Sequence, residues 1–180
     1  MSMRIVVISG SLRPQSLSRV LAHRALNTLQ ERGVDTEWVD LRQVDLPMCD
    51  GTEASKGGDV GRLTEAFTAA DGLLVAAPIY NFDVNGAVKN LVDQLGRQAW
   101  TDKTVGFLCA AGGHSSYMSI MSLANSLMLN HRCVIVPRFV YATSDDFDDD
   151  GTDGMTIASD EVAERVDQLA AEVVRLAGAA

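Results

Sequence analysis

Two periods of hydrophobicity alternate along the 180 residues. "RIVVIS" (4–9) is a continuous apolar run rich in β-branched residues, the pattern of a strand buried on both faces. Residues 16–33 follow with Leu17, Val20, Leu21, Ala25 and Leu29 at helical spacing and Gly33 as a C-cap. "VDTEWVDL" (34–41) alternates and reads as a second strand near an edge. Residues 42–59 carry Pro47, Gly51, Gly57 and Gly58 and read as loop, and 60–70 as a short helix. "DGLLVAAP" (71–78) is apolar enough for a central third strand. In 85–98, Val88, Leu91, Val92 and Leu95 share one helical face, and Lys89, Asp93 and Arg97 form a solvated stripe on another. A fourth strand is expected over 103–111, a helix over 115–131 and a fifth strand over 133–141. A last helix over 159–178 has Ser159 or Asp160 as its N-cap.

Strands that alternate with helices imply a parallel sheet covered by helices on both faces. Right-handed crossovers then make a doubly wound, three-layer α/β sandwich. Five strands fit the order 2-1-3-4-5, whose ligands sit at the carboxyl ends of the strands, beside the switch point between the first and third. The loops after the first, third and fourth strands are therefore where chemistry is expected. The chain shows no repeat and no linker, so 1–180 is expected to be one domain.

Bulk properties narrow the function. The formal net charge of −9 disfavours a nucleic-acid partner. No run approaches the roughly 18 apolar residues of a membrane span. The first strand begins at Arg4, so no signal peptide is expected. Cys49, Cys109 and Cys133 are scattered and form no CxxC, which suits a reducing, cytoplasmic compartment.

The first of the three loops is "ISGSLRPQSLSR" (8–19). Gly10 is its lone glycine and it has no lysine, so it is neither GxGxxG nor a P-loop. It does offer the hydroxyls of Ser9, Ser11, Ser16 and Ser18, the guanidinium of Arg13, and a helix N-terminus. Two readings are open on this chemistry: a cradle for one terminal phosphate, or a capped polar turn. The loop after the third strand, "PIYNFDVNGAVKN" (78–90), has Pro78 to stiffen the turn, Tyr80 and Phe82 as possible walls for a planar ligand, and Asn81, Asn85 and Gly86 for unusual backbone angles. Packing in the core or at a subunit contact would equally use the two aromatics. In "AAGGHSSY" (110–117), Gly112 and Gly113 permit close approach of backbone to ligand, and His114 is either a contact or a solvated loop histidine.

"GSLRPQSLS" together with "PIYNFDVNGAVKNLVDQL" resembles the NAD(P)H-dependent FMN reductase family of the flavodoxin-like superfamily. That family pairs a GS-x-R-x-x-S loop with a P-x-Y-N…G-x-[LV]-KN segment. The resemblance covers nearly the whole chain in element order and is specific in these two motifs. It implies that Ser11, Arg13, Ser16 and Ser18, with Ser9 and Leu17 in the same loop, hold the FMN phosphate. It implies that Pro78, Ile79, Tyr80, Asn81 and Phe82 border the isoalloxazine ring, with Gly112, Gly113 and His114 beside it. Two positions depart from the pattern: Ile79 stands where many relatives carry glutamate, and Asn85 where proline is frequent. The implied activity is hydride transfer from NAD(P)H to FMN and on to a small-molecule acceptor. That acceptor would be free flavin for a partner flavin-dependent monooxygenase, or a quinone. A homodimer or homotetramer is implied as well. The competing class is a flavodoxin-type electron carrier that binds FMN without turnover of its own.

Other features carry less. Asp146, Asp148, Asp150 and Gly151 imitate an EF-hand, but its twelfth position is Ile157 instead of glutamate. Ser115 and Ser116 lack a GxSxG context. His23 lies on a polar helix face, and His131 at a helix end where a cation suits the dipole. Trp38, Trp100 and the methionines of 118–128 read as packing residues.

Overall fold

A parallel sheet organises the chain. In the computed structural model, which describes residues 3–52, 57–148 and 154–179, β1 (Arg4–Ser9) lies between β2 (Asp35–Asp40) and β3 (Gly72–Tyr80). β5 (Thr104–Ala111) pairs with the far side of β3 from Gly72↔Thr104 to Pro78↔Ala110. A two-residue strand, β4 (Asp83–Val84), folds back antiparallel on the end of β3. Beyond β5 stand β6 (Val134–Ile135) and β7 (Val140–Thr143), which pair with its beginning and its end respectively. The spatial order of the five positions is the expected 2-1-3-4-5.

The expected fifth strand over 133–141 is thus two short strands. Val136 donates its N–H to the Val105 carbonyl, at 2.9 Å, and Pro137 has no N–H with which to continue the ladder. The helix expected from 115 begins late, as α4 (Met121–His131), behind a single 3₁₀ turn at His114–Ser116. Met118 has φ 63°, a left-handed conformation through which a helix cannot run. In α3 (Gly86–Trp100), Gly96 has φ 70° and ψ 180°, so the helix breaks after Leu95. The Lys89–Asp93 pair forms before the break, at 2.6 Å, and Arg97 lies past it. A small ribbon of β8 (Phe147–Asp148) and β9 (Thr156–Ile157) has no counterpart in the sequence pattern.

Burial follows the alternation along the strands. Ile5, Val7, Leu74 and Leu108 face α1 (Leu17–Glu31) and α5 (Asp160–Ala177), meeting Leu21, Leu29, Val166 and Leu169. Val6, Ile8, Val75 and Phe107 face the other way, onto Phe67 of α2 (Val60–Ala69), Leu91 and Trp100 of α3, and Leu127 of α4. Ser159 caps α5 by accepting the Val162 N–H. Among the described residues, no helix is long and apolar enough to cross a membrane. Asp146 serves as a local cap, accepting the Thr143 N–H at 2.7 Å. Asp150 and Gly151 of the EF-hand-like run lie outside the described residues.

Candidate functional site

The carboxyl ends of β1, β3 and β5 meet at one edge, and two contacts lock the first two loops together. Gly10 donates its N–H to the Ala76 carbonyl at 2.8 Å. A Cβ at this position would stand 2.2 Å from Val88 Cγ2 of α3 and 2.8 Å from the Ala76 oxygen, so only glycine permits the approach. Asn85, buried at the start of α3, donates Nδ2–H to the Gly10 carbonyl at 2.7 Å.

The loop after β1 then turns into α1. Ser16 is the N-cap, and its hydroxyl accepts the Arg19 N–H at 3.4 Å. Ser18 Oγ lies 3.0 Å from Ser16 Oγ, and Ser11 Oγ accepts the Arg13 N–H at 3.2 Å. No acidic residue occupies the first turn of α1, which leaves the positive end of the helix dipole unopposed.

Arg19 organises this loop. Its Nη1 donates to the carbonyls of Arg13 (2.7 Å) and Pro14 (2.8 Å), and its Nη2 to that of Ser11 (2.9 Å). Nε and Nη2 also grip the Asp40 carboxylate at 3.0 and 3.2 Å. All five N–H donors of the guanidinium are thereby used. The carbonyls that would repel an anion are tied to Arg19, and Arg19 has no donor left for a ligand. The exposed Arg13 guanidinium makes no hydrogen bond or ion pair among the described residues. It is the cation free to meet an anion.

A cavity of about 480 Å³, within the usual range for small-molecule sites, opens over these loops. Ser11, Arg13, Ser16, Leu17 and Ser18 line one end of it. Pro78, Ile79, Tyr80 and Gly112 line the other. The structure therefore gathers nine of the residues singled out in the sequence. Five others lie outside the lining. Ser9 is wholly buried at the end of β1, with its Oγ unpartnered. Asn81 and Phe82 form the two-residue turn between β3 and β4, with φ 51° and 63°. That left-handed pair is costly for phenylalanine, and it leaves Phe82 64% exposed beside Tyr80, itself 46% exposed. The Gly113 carbonyl accepts the Tyr141 hydroxyl at 3.3 Å, and Tyr141 also bonds Ser116 Oγ. His114 is exposed at the head of its 3₁₀ turn.

Five further lining residues were not singled out by a motif search, Ala110 and Ala111 at the end of β5 among them. Gln15 sits in the first loop, and Ser144 and Met155 arrive from beyond β7. Arg19 and Asp40 escape it too. An arginine three residues past a cap carries no local sign of a partner on β2.

The donor set fits a phosphate monoester at one end: hydroxyls, one unspent guanidinium, and a helix N-terminus. The other end fits a flat, largely apolar ring. Among the described residues, no Asp, Glu, His, Lys or Cys lines the cavity. Among the described residues, no cluster of three His, Cys, Asp or Glu could hold a metal ion.

Comparison with known proteins bears on the family and the fold. The NADPH-dependent FMN reductase family matches residues 3–148. An NAD(P)H-dependent FAD/FMN reductase of Geobacillus thermodenitrificans is 32% identical over 144 residues, spanning 79% of this chain and 76% of the relative. An NADPH azoreductase of a Bacillus species is 26% identical over 174 residues, 96% of this chain and 89% of the relative. The solved structure of an oxidoreductase from Corynebacterium diphtheriae superposes with a TM-score of 0.76 over 99% of this chain and 98% of that one. At 22% identity, that likeness speaks for the fold alone. The family match takes in the strand ends and the three loops around the cavity, and the chain belongs to the NADPH-dependent FMN reductase family.

Proposed function

We propose that this protein is an NAD(P)H-dependent FMN reductase whose flavin lies in the 480 Å³ cavity. One observation carries the reading. A hydroxyl-lined helix N-terminus with one unspent arginine shares a cavity with a flat apolar slot, and Arg19 holds the loop carbonyls back.

In this reading, Arg13 and the hydroxyls of Ser11, Ser16 and Ser18 grip the phosphate, while Leu17 packs along the chain next to it. Pro78, Ile79, Tyr80 and Gly112 border the ring. Asn81, Phe82, Gly113 and His114 stand at the rim, where a second substrate enters, and Ser9 supports the loop from below. Bound flavin supplies the hydride chemistry. The protein needs no base or nucleophile for that step. What the chain contributes is alignment, with one face of the ring left open at Tyr80 for the nicotinamide and then for the acceptor.

The acceptor is proposed to be free flavin, destined for a partner monooxygenase, or a quinone. The protein is proposed to work in the cytoplasm, as one domain that assembles into homodimers or homotetramers. Tyr80, Phe82 and Tyr117 give it exposed apolar surface for that assembly.

The test is an FMN titration followed by oxidation of NADH and of NADPH with FMN, with a quinone, and with no added acceptor. Turnover above the spontaneous rate is expected. Binding of FMN without turnover would leave an electron carrier of the flavodoxin type. A protein with no affinity for FMN would overturn the reading.

A further inference from the structure

The loop after β5 is fastened by one side chain. Tyr141 stands on β7 opposite Cys109 of β5, and its hydroxyl donates to the Gly113 carbonyl at 3.3 Å. The same hydroxyl bonds Ser116 Oγ, which itself reaches the Gly113 carbonyl only at 3.5 Å, the limit of hydrogen-bond distance. Ser119 Oγ donates to the Ser116 carbonyl at 2.6 Å. Tyr117 packs edge-on against the Tyr141 ring, with centroids 5.3 Å apart and planes at 80°. The segment from Gly113 to Ser119 thus gathers around one phenol.

What this anchor fixes is the direction of the neighbouring N–H groups. Gly112 and Gly113 have no side chain to hold their peptide planes. A trans peptide sets its N–H opposite its carbonyl, so the His114 N–H is turned away from Tyr141 while the Gly113 carbonyl is held to it. Among the described residues, the N–H groups of Gly112, Gly113, His114 and Ser115 have no hydrogen-bond partner. Four successive donors are therefore unspent where the loop meets the cavity, which Gly112 lines. Pro78, Ile79 and Tyr80, at the same end, bring no charge.

A hydride brings two electrons and one proton, so a flavin that receives it gains one negative charge until a second proton arrives. N–H groups held in place beforehand favour that charge without having to reorient. We propose that Tyr141 is a positioning residue for bound FMN: by holding the Gly113 carbonyl it keeps these donors turned to the ring, and so favours the reduced over the oxidised flavin. This rests on the flavin reading of the cavity. Tyr141 itself does not line the cavity and acts through the loop.

Apoprotein titrated with oxidised FMN in air, and with dithionite-reduced FMN under anaerobic conditions, tests it. The ratio of the two affinities sets the midpoint potential of bound flavin against that of free flavin. Tyr141→Phe keeps the ring and its contact with Tyr117 and removes only the hydroxyl. It should weaken reduced FMN about tenfold more than oxidised FMN, the scale of one hydrogen bond to a charged group. For a two-electron couple that is a fall of about 30 mV in midpoint potential. Ser116→Ala, which leaves the bond between Tyr141 and Gly113, should shift the ratio in the same direction and by less. Tyr117→Phe, beside the anchor but outside its hydrogen bonds, should leave the ratio unchanged.

An unchanged ratio in Tyr141→Phe would overturn the proposal, whatever happens to the melting temperature, because a purely structural loss weakens both forms alike. A shift as large in Tyr117→Phe would overturn it too. If Tyr141→Phe does not fold, an unchanged ratio in Ser116→Ala overturns it instead. Failure of the wild-type protein to bind FMN would strike the underlying flavin reading.

Discussion

Arg19 and Asp40 lie 21 residues apart and form a two-pronged ion pair, Nε–Oδ2 at 3.0 Å and Nη2–Oδ1 at 3.2 Å, with side chains only 12% and 3% exposed. The pair joins the end of β2 to the first turn of α1. Because the same guanidinium holds three loop carbonyls, the shape of the serine-rich end of the cavity depends on a residue whose donors are all spent within the protein.

Arg19→Ala would leave a buried carboxylate and three carbonyls without their partner. Breaking a buried pair from one side costs about 3–5 kcal/mol. Thermal unfolding should fall by roughly 6–20 °C, at about 2–4 °C per kcal/mol for a chain of this size. FMN affinity should fall with it. Arg19→Lys, with three donors on one nitrogen, should recover little of either, because it cannot reach five acceptors. A lysine variant equal to wild type in melting and in FMN affinity would refute the organising role.

Arg13→Ala should weaken FMN and leave riboflavin nearly unchanged, because only FMN carries the phosphate. A charge-assisted contact is worth about 1.5–3 kcal/mol, or roughly ten- to a hundredfold. Calorimetric titration with the two ligands measures the difference. Equal losses for both would refute the phosphate contact.

Asn85→Ala should destabilise the fold by about 1–3 kcal/mol, the cost of a buried carbonyl left without its donor. Asn85→Pro is the more informative change. With φ −65°, the backbone already fits proline. Proline would nevertheless remove both the Nδ2–H bond to Gly10 and the N–H bond to the Pro78 carbonyl. Urea unfolding should show Asn85→Pro less stable than wild type, despite the residue's frequency in the family.

His131 is 5% exposed, and its burial lowers its pKa from 6.5. The helix-end position suggested a favourable cation, but desolvation, helped by the charge of Arg97, outweighs a hydrogen bond to the Arg97 backbone. Below about pH 6.5 the unfolded chain takes up a proton that the folded chain refuses, so stability should decline as the pH falls through that value and level off above it. His23 shifts the same way. Urea midpoints at about pH 5.5 and 7.5 should differ in wild type, and differ less in His131→Gln.

Burial pushes the Cys109 thiol up to about 12 and that of Cys133 to about 11. Both should resist a thiol reagent at neutral pH in the folded protein, since the thiolate is the reactive form. Half-buried Cys49 should be the one that reacts. Denaturant should release all three, and rapid labelling of three thiols in the native protein would contradict the burial.

Much of this protein was determined by local sequence. Continuous β-branched runs separated by amphipathic stretches already dictate a parallel sheet between helices. That topology points to the ends of β1, β3 and β5 before any motif is read. The serine-rich loop and the PIYN segment then mark two walls of the cavity, because caps, turns and hydroxyl donors act over a few neighbouring residues.

Tertiary structure decided the rest, and for a physical reason. Which arginine is left free to meet an anion depends on which one has already spent its donors. Arg19 spends them on Asp40 and on three carbonyls that only folding brings within reach. Gly10 is required by Val88, 78 positions away in a helix that crosses behind it. Met155 and Ser144 reach the cavity from the last third of the chain, and Tyr141 holds a carbonyl 28 positions before it. The element types were written in local periodicity. The division of labour between Arg13 and Arg19 was settled by contacts between segments distant in sequence.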